Sequence, residues 1–524
     1  METSTFDPIE IDFNNQDAWD LICDGKTKGV FQLESSLGRA WSKRVKPRNI
    51  EDLAALVSII RPGCLKAIVD GKSMTQHYVD RKNGSEEIVY IHDSLEPILK
   101  NTQGVLVYQE QSMEIAQKIA GFNLQQADDL RKAIGKKKAD LMAKIKKRFV
   151  QGAIDAAIVS KEAAEEIFSW IEKSSRYAFN KSHAVSYAIC GYWSAYAKSH
   201  HPLEFYCNYL YYAHGKPDPQ EEIRELVRDA KSVGVSIHPP SLKSLNETTS
   251  IIDEKIHFGL SDLKTIGKKQ IDKFKDILPE AENLIGKKIH EMSWYETLVS
   301  IGDLLYSPLA IAMISTGMFS HTKLSRLKML DDFDTWQKLT SKEVVWIKEN
   351  YKNHDNILDL LKAASPVKKE GGAAHNSKRT EVILDLVLHL ENPPSSLEDD
   401  PRWVIGTEEN YLGVAVTYSK IESSDISMSD TTCRDCLEGK KGKMKIAVTL
   451  NAIRKWTTKG GKNPGQEMAF LSVEDNTGEL DNVAIFSESW KEYKNILYEG
   501  NNVLLFCNAS KNRDGFVVDK VVEI

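Results

Sequence analysis

Met444-Lys-Ile-Ala-Val-Thr-Leu450, Glu467-Met-Ala-Phe-Leu-Ser-Val473, Leu480-Asp-Asn-Val-Ala-Ile-Phe486, Asn502-Val-Leu-Leu-Phe506 and Gly515-Phe-Val-Val-Asp519 follow one another closely in the sequence. Each run is shorter than an ordinary helix and rich in β-branched and aromatic residues, and the runs are separated by turn signals such as Asp475-Asn-Thr-Gly478. Five such runs predict a small closed barrel over residues 441–524. An oligonucleotide-binding (OB) fold is the leading case, and a generic barrel fits the same pattern.

Outward from the barrel the period changes. Pro366 to Thr380 is polar, small and turn-rich, and predicts a flexible linker at 366–380 followed by a connecting region at 381–440. Earlier, Lys255-Ile-His-Phe-Gly259 is a strand candidate, and Gly267 lies between two short helical patterns with Lys268 and Lys269 beside it. A glycine hairpin of this kind presents backbone amides to a phosphate, although a plain helix connection uses glycine equally well. From Val105 to about Tyr212 the spacing is helical, as in Met113, Ala116, Ile119 and Ala120, then Ala164, Ile167, Phe168 and Ile171. The first ninety or so residues mix short apolar runs with turns such as Arg61-Pro62-Gly63, and read as α+β.

At 524 residues, with 41% hydrophobic and 27% charged residues, several domains and a soluble chain are expected. No apolar stretch is long enough to span a bilayer, and the start carries no secretion-signal pattern, which predicts a cytoplasmic protein with no membrane partner. The seven cysteines suggest no disulfide framework. The net charge of -6 by itself disfavours nucleic acid, yet Arg131 to Arg148 holds nine Lys or Arg residues against Asp140 alone. Phosphate is met by a patch, so the local field decides.

Six blocks resemble, in order, the bacterial DNA polymerase III alpha subunit, the family C replicative polymerase. They are Gly29-Val-Phe-Gln-Leu-Glu-Ser35, Arg61-Pro-Gly63, Tyr78-Val-Asp-Arg-Lys82, Gly104-Val-Leu-Val-Tyr-Gln-Glu-Gln111, Leu130-Arg-Lys-Ala-Ile-Gly-Lys-Lys-Lys138 and Phe179-Asn-Lys-Ser-His183. The resemblance implies a multidomain α+β chain: a partial palm at 1–95, helical fingers at 96–215, and remaining fingers, clamp-contact and helix-hairpin-helix elements at 216–365. It also implies Mg²⁺, deoxynucleoside triphosphate (dNTP) as substrate, and primer-template and single-stranded DNA as partners, with a sliding clamp and other replisome proteins, in a bacterial or phage setting. The family's closely spaced aspartate motif lies well before the block ending in Ser35, and no copy precedes that block here. Glu10-Ile-Asp12 imitates it only superficially. The chain is therefore expected to act as a carboxy-terminal part, inactive alone, with a separate amino-terminal polymerase chain supplying the paired aspartates.

The third family aspartate follows the Arg-Pro-Gly turn. Measured forward the match is Asp70; measured backward from Asp80-Arg-Lys82 it is Gln76. Asp70 is preferred as catalytic metal ligand, because glutamine cannot supply the anionic oxygen that Mg²⁺ favours. The resemblance places Arg131 and Lys132, with Lys136, at the incoming triphosphate, Lys132 replacing a common arginine. Lys181 would neutralise charge leaving with pyrophosphate, and His183 would protonate the leaving group or hydrogen-bond a phosphate. Lys137, Lys138, Lys144, Lys147 and Arg148 form the DNA-contacting patch. Arg454, Lys455, Trp456 and Lys459 read as a basic barrel loop on which a base stacks. Cys433-Arg-Asp-Cys436 has half of a zinc-knuckle spacing without a second pair, so no zinc is expected. The competing reading is a non-catalytic DNA-binding or replication scaffold derived from the polymerase.

Overall fold

The computed structural model describes residues 7–136, 139–174, 178–264, 266–364, 379–393, 395–458, 464–510 and 515–524. Lys137, Lys138, Lys459, Tyr177 and residues 366–378 of the expected linker lie outside them, as does the side chain of Lys136. The chain divides into two units, Met1–Phe205 and Tyr206–Ile524.

The first unit is built on helices α1 (Gln16–Cys23), α2 (Ser36–Val45), α3 (Ile50–Ile59), α4 (Met74–Lys82), α5 (Gln109–Ala120), α6 (Leu124–Lys136), α7 (Ala139–Asp155), α8 (Lys161–Ser174) and α9 (Lys181–His200). The α+β expectation for residues 1–95 reduces to a single hairpin, β1 (Ile68–Val69) and β2 (Lys72–Ser73). The reason lies in α3. Asn49 caps it by accepting from the Asp52 N–H, and Asp52 through Ile59 are all buried, so this apolar run is a central helix. Helix α9 packs on α3 through Ala184, Ala188, Tyr192 and Ala195, small residues with one large anchor. A second core, around Leu99, Ile119, Leu130, Phe149 and Phe168, joins α5 to α8. There Gly152 of α7 approaches the end of α5 so closely that a Cβ would meet the Ala120 carbonyl oxygen at 2.2 Å.

The second unit contains α10 (Pro219–Ser232), a small sheet of β3 (Ile237–His238), β4 (Ser250–Ile252) and β5 (Lys255–His257) in order β3-β5-β4, and α11 (Lys268–Ile285). Further helices follow, among them α12 (Pro401–Tyr411). The strands that follow are β6 (Lys443–Thr457), β7 (Glu467–Glu474), β8 (Glu479–Ile485), β9 (Asn502–Ala509) and β10 (Phe516–Glu523). They form the expected closed barrel, in order β10-β8-β7-β6-β9, with β8 and β10 parallel and the other neighbours antiparallel. This is the OB-like arrangement. Strand β6 serves two neighbours, pairing with β9 through Thr449 and with β7 beyond it, and a register shift between Leu450 and Ala452 turns it. Arg454, Lys455 and Trp456 therefore lie on this strand and not in a loop, because β7 pairs with them residue by residue.

A buried ion pair holds the middle of this unit. Arg326 donates from Nη1 to Glu408 Oε1 at 2.9 Å and to the Ser315 carbonyl at 2.7 Å, and Glu408 Oε2 accepts from the Val416 and Thr417 amides. The Glu408 side chain is fully buried. Removing one partner strands the other's charge, so Glu408→Ala is expected to cost about 3–5 kcal/mol in urea denaturation.

Candidate nucleotide and nucleic-acid site

In the first unit, segments far apart in sequence meet at the start of α9. The Phe179 N–H donates to the Val107 carbonyl at 2.9 Å, and the Gln109 N–H donates to the Phe179 carbonyl at 2.8 Å. Glu110 then uses both oxygens: Oε1 accepts from Asn180 Nδ2 at 2.8 Å, Oε2 from the Lys181 N–H at 2.9 Å. Asn180 caps the helix by accepting from the His183 N–H at 2.9 Å. The position of Lys181 and His183 is thus fixed by main-chain bonds before their side chains meet any ligand.

Those side chains sit in a row of rings. The His183 ring lies 4.0 Å from the Tyr187 ring and 5.4 Å from the Phe179 ring, and Tyr187 continues to Phe31 at 5.0 Å. The Arg61 guanidinium covers Phe179, 3.2 Å from its centroid. The Lys181 ammonium is 3.7 Å from Glu51 and 5.8 Å from the Tyr108 ring centroid. Burial raises the Tyr108 phenol, which stays neutral, and burial pushes the Cys64 thiol up to about 11. Phe179 packs against the core.

Arg131 and Lys132 lie apart from this row, on α6. Asp128 Oδ1 accepts from Arg131 Nε at 2.9 Å, and Asp128 Oδ2 pairs with Lys132 Nζ at 2.7 Å. Hydrogen bonds from Lys132 and then Arg131 hold the Asp128 carboxyl below its ordinary range. Among the described residues, no hydrogen bond, ion pair or ring contact joins this pair to Lys181 or His183. Lys144, Lys147 and Arg148 share one face of α7 and are exposed.

In the second unit, Gly267 is the N-cap of α11 in extended backbone, preceded by a single 3₁₀ turn at Leu260–Asp262 where a helix was expected. Asp262 Oδ2 accepts from the Gly259 N–H, while Oδ1 pairs with His214 Nε2 at 2.8 Å. Lys268 is engaged with Glu247 at 2.8 Å, and Lys269 is exposed beside it. On the barrel, Ala469, Leu471 and Val473 face the core, so Phe470 points outward. Arg454, opposite Phe470 in the ladder, places its guanidinium 5.3 Å from that ring, and Trp456, two residues on, is 48% exposed.

Comparison with known proteins meets this geometry at the fingers. Residues 1–157 match the family model of the bacterial DNA polymerase III alpha subunit finger domain. The DNA polymerase III subunit alpha of Borreliella burgdorferi is 29% identical over 98% of this chain and 41% of its own length, and that of Bacillus subtilis is 27% identical over 99% and 42%. The Aquifex aeolicus subunit reaches 36% identity over 62% of this chain and 26% of its own.

The chain is similar to DNA polymerase III alpha subunits over nearly its whole length and matches their finger-domain model over residues 1–157.

It spans about two fifths of the length of the Borreliella and Bacillus relatives. The Mg²⁺ expected from the resemblance requires anionic oxygens held close together. Asp70 stands exposed at the tip of the β1–β2 hairpin, with φ 47° and Gly71 at φ 80°. Gln76, the other candidate, donates to Asp80 Oδ1. Among the described residues no group of three or more His, Cys, Asp or Glu side chains is arranged to hold a metal ion. These residues do not make a Mg²⁺ site by themselves; Asp70 offers one carboxylate.

Cys433, Cys436 and Cys507 are core residues of the barrel, and burial pushes Cys436 up to about 11 and Cys507 up to about 12. Among the described residues no helix is long and apolar enough to cross a membrane. Sequence reading missed Arg61 and Asp128 as site residues and left Glu110 without a role. Only the lodging of Glu110 and Arg61 within family-like blocks marked them.

Two outcomes follow from these contacts. Glu110→Ala leaves the Lys181 amide and the Asn180 side chain without their acceptor, and is expected to destabilise the first unit by about 1–3 kcal/mol, read by chemical denaturation. Asp262 raises the His214 imidazole above its ordinary value, through their hydrogen bond first. The stabilisation is therefore complete below the unfolded value near 6.5 and is lost as pH rises through the higher folded value. Amide exchange at Gly259 is expected to quicken across that window beyond its ordinary pH dependence, and to lose the extra step in His214→Ala.

Proposed function

We propose that this chain supplies the fingers and DNA-handling modules of a DNA-directed DNA polymerase, extending a primer once joined to a palm-bearing polypeptide. The observation that carries the reading is the junction at the start of α9, where Glu110 and Asn180 fix Lys181 and His183 beside Arg61. A cation held in this way can meet a phosphate without paying for its own ordering. Lys181 neutralises charge on the leaving pyrophosphate, and His183 hydrogen-bonds or protonates it. Arg131 and Lys132, with Lys136, take the triphosphate of the incoming dNTP. Arg131 presents a planar fork, whereas Lys132 brings a point charge in place of the family's usual arginine.

DNA is handled by three surfaces in this reading: the α7 face with Lys144, Lys147 and Arg148, the Gly267 turn with Lys268 and Lys269, and the barrel face with Arg454 and Trp456. Primer-template, single-stranded DNA and replisome proteins including a sliding clamp are the partners that such a chain requires. Asp70, exposed on its hairpin, is the carboxylate available to join those of the palm.

Reconstitution tests this. The chain alone is expected not to extend a primer with Mg²⁺ and all four dNTPs. Addition of the palm-bearing segment of a family relative should restore template-dependent synthesis. In that assembly Lys181→Ala should lower kcat about 10²-fold or more, the scale of a lost transition-state contact. Arg131→Ala should raise the KM for dNTP or lower kcat, and Asp70→Ala should reduce the chemical step more severely than either. Robust extension by the isolated chain would overturn the division of labour. Failure of every folded, associated pair would leave DNA binding as the function and favour the scaffold.

A further inference from the structure

A groove of about 450 Å³ runs between α6 and α7. Its floor is apolar, formed by Phe122, Leu141 and Ile145, and its rim carries Lys132, Lys144 and Arg148 against Asp129. Leu141 is 37% exposed, whereas Phe122 and Ile145 are 5% and 8% exposed, so Leu141 is the apolar side chain that a ligand in the groove meets. The Arg148 guanidinium stands 5.7 Å from the Phe122 ring centroid, a plane of charge beside the apolar surface. Among the described residues Lys144, Lys147 and Arg148 have no carboxylate partner, unlike Lys132, which rests on Asp128.

This combination of an apolar floor with unneutralised cations fits a ring attached to phosphate. Lys144 and Arg148 are one helical turn apart, about 6 Å along α7. The charge therefore runs along the helix, as a continuing backbone needs, and does not gather at one end as a lone triphosphate would ask. A base must leave its stack to touch the floor, which selects a single strand over a duplex.

We propose that the α6–α7 groove seats one nucleotide of a single DNA strand, its base against Leu141 and its flanking phosphates on Lys144 and Arg148. The inference rests on the DNA-handling role above and gives that surface a base-contacting seat of its own.

The test is fluorescence anisotropy of the full chain with a labelled oligothymidylate, with the same oligomer carrying abasic sites, and with dTTP or poly-glutamate as competitors. Lys144→Ala/Arg148→Ala should weaken oligothymidylate binding about tenfold and flatten its log–log salt slope by about 1.4, two single-strand phosphate contacts. Leu141→Ser should weaken the intact oligomer several-fold and leave the abasic one unchanged. Lys144→Arg/Arg148→Lys should retain binding, and thermal melts of all variants should match the parent. If every variant binds as the parent does, the groove is not the seat, while the general DNA-handling role stands. If the parent itself binds no DNA, both fall. Equal losses on intact and abasic oligomers would remove the base contact, and displacement by dTTP or poly-glutamate as effective as by unlabelled oligomer would reject a single strand as occupant.

Discussion

One carboxylate sets the geometry on which the first unit's chemistry depends. Glu110 stands at the start of α5 and binds the start of α9, seventy residues later, with both of its oxygens. A negative charge at a helix N-terminus is favourable, and here it replaces the anion that a bare terminus would attract. The main-chain amides of Lys181 and His183 are thereby occupied, by Glu110 and Asn180. Phosphate recognition at this place falls to side chains, to the ammonium of Lys181, the imidazole of His183 and the guanidinium of Arg61.

The same economy of charge appears on α6. Asp128 sits three and four residues before Arg131 and Lys132 and satisfies both. Such exposed pairs contribute little to stability. Their effect is on direction: the guanidinium is held by its Nε edge, which leaves the other edge outward. A chain with net charge -6 keeps a local positive surface where cations stand without carboxylates, as Lys144, Lys147 and Arg148 do among the described residues.

The barrel was legible in its five runs because inward and outward residues alternate with period two, as in Ala469, Leu471 and Val473. The far half of β6 was not, since Arg454 to Thr457 are all exposed and no alternation survives; the pairing with β7 is a matter of backbone bonds. The run from Leu53 to Ile59 is buried on every side, and the helix that the sequence shows ending near Ile60 is α3, begun by the Asn49 cap. Within the site, the blocks carrying Lys181 and Arg131 could be read, but the partner of Glu110 could not, because a contact across seventy residues leaves no local pattern. Asp70 and Gln76 stay unequal claims for a simpler reason: the Asp70-Gly71 pair is an ordinary hairpin-turn signal and leaves Asp70 exposed at the tip, whereas Gln76 is engaged with Asp80.

The parallel pairing of β8 with β10 closes the barrel, and Val517 and Val518 meet Ala484 and Ile485 only after β9 has come between them in the chain. Closure must therefore wait for contacts distant in sequence, while α6 and α7 dock as neighbours. On refolding, the helical hairpin is expected to form early and the barrel late. Until that last seam zips, the edges of β8 and β10 are open to strands of other molecules, which makes the slow step of folding also the one most exposed to aggregation.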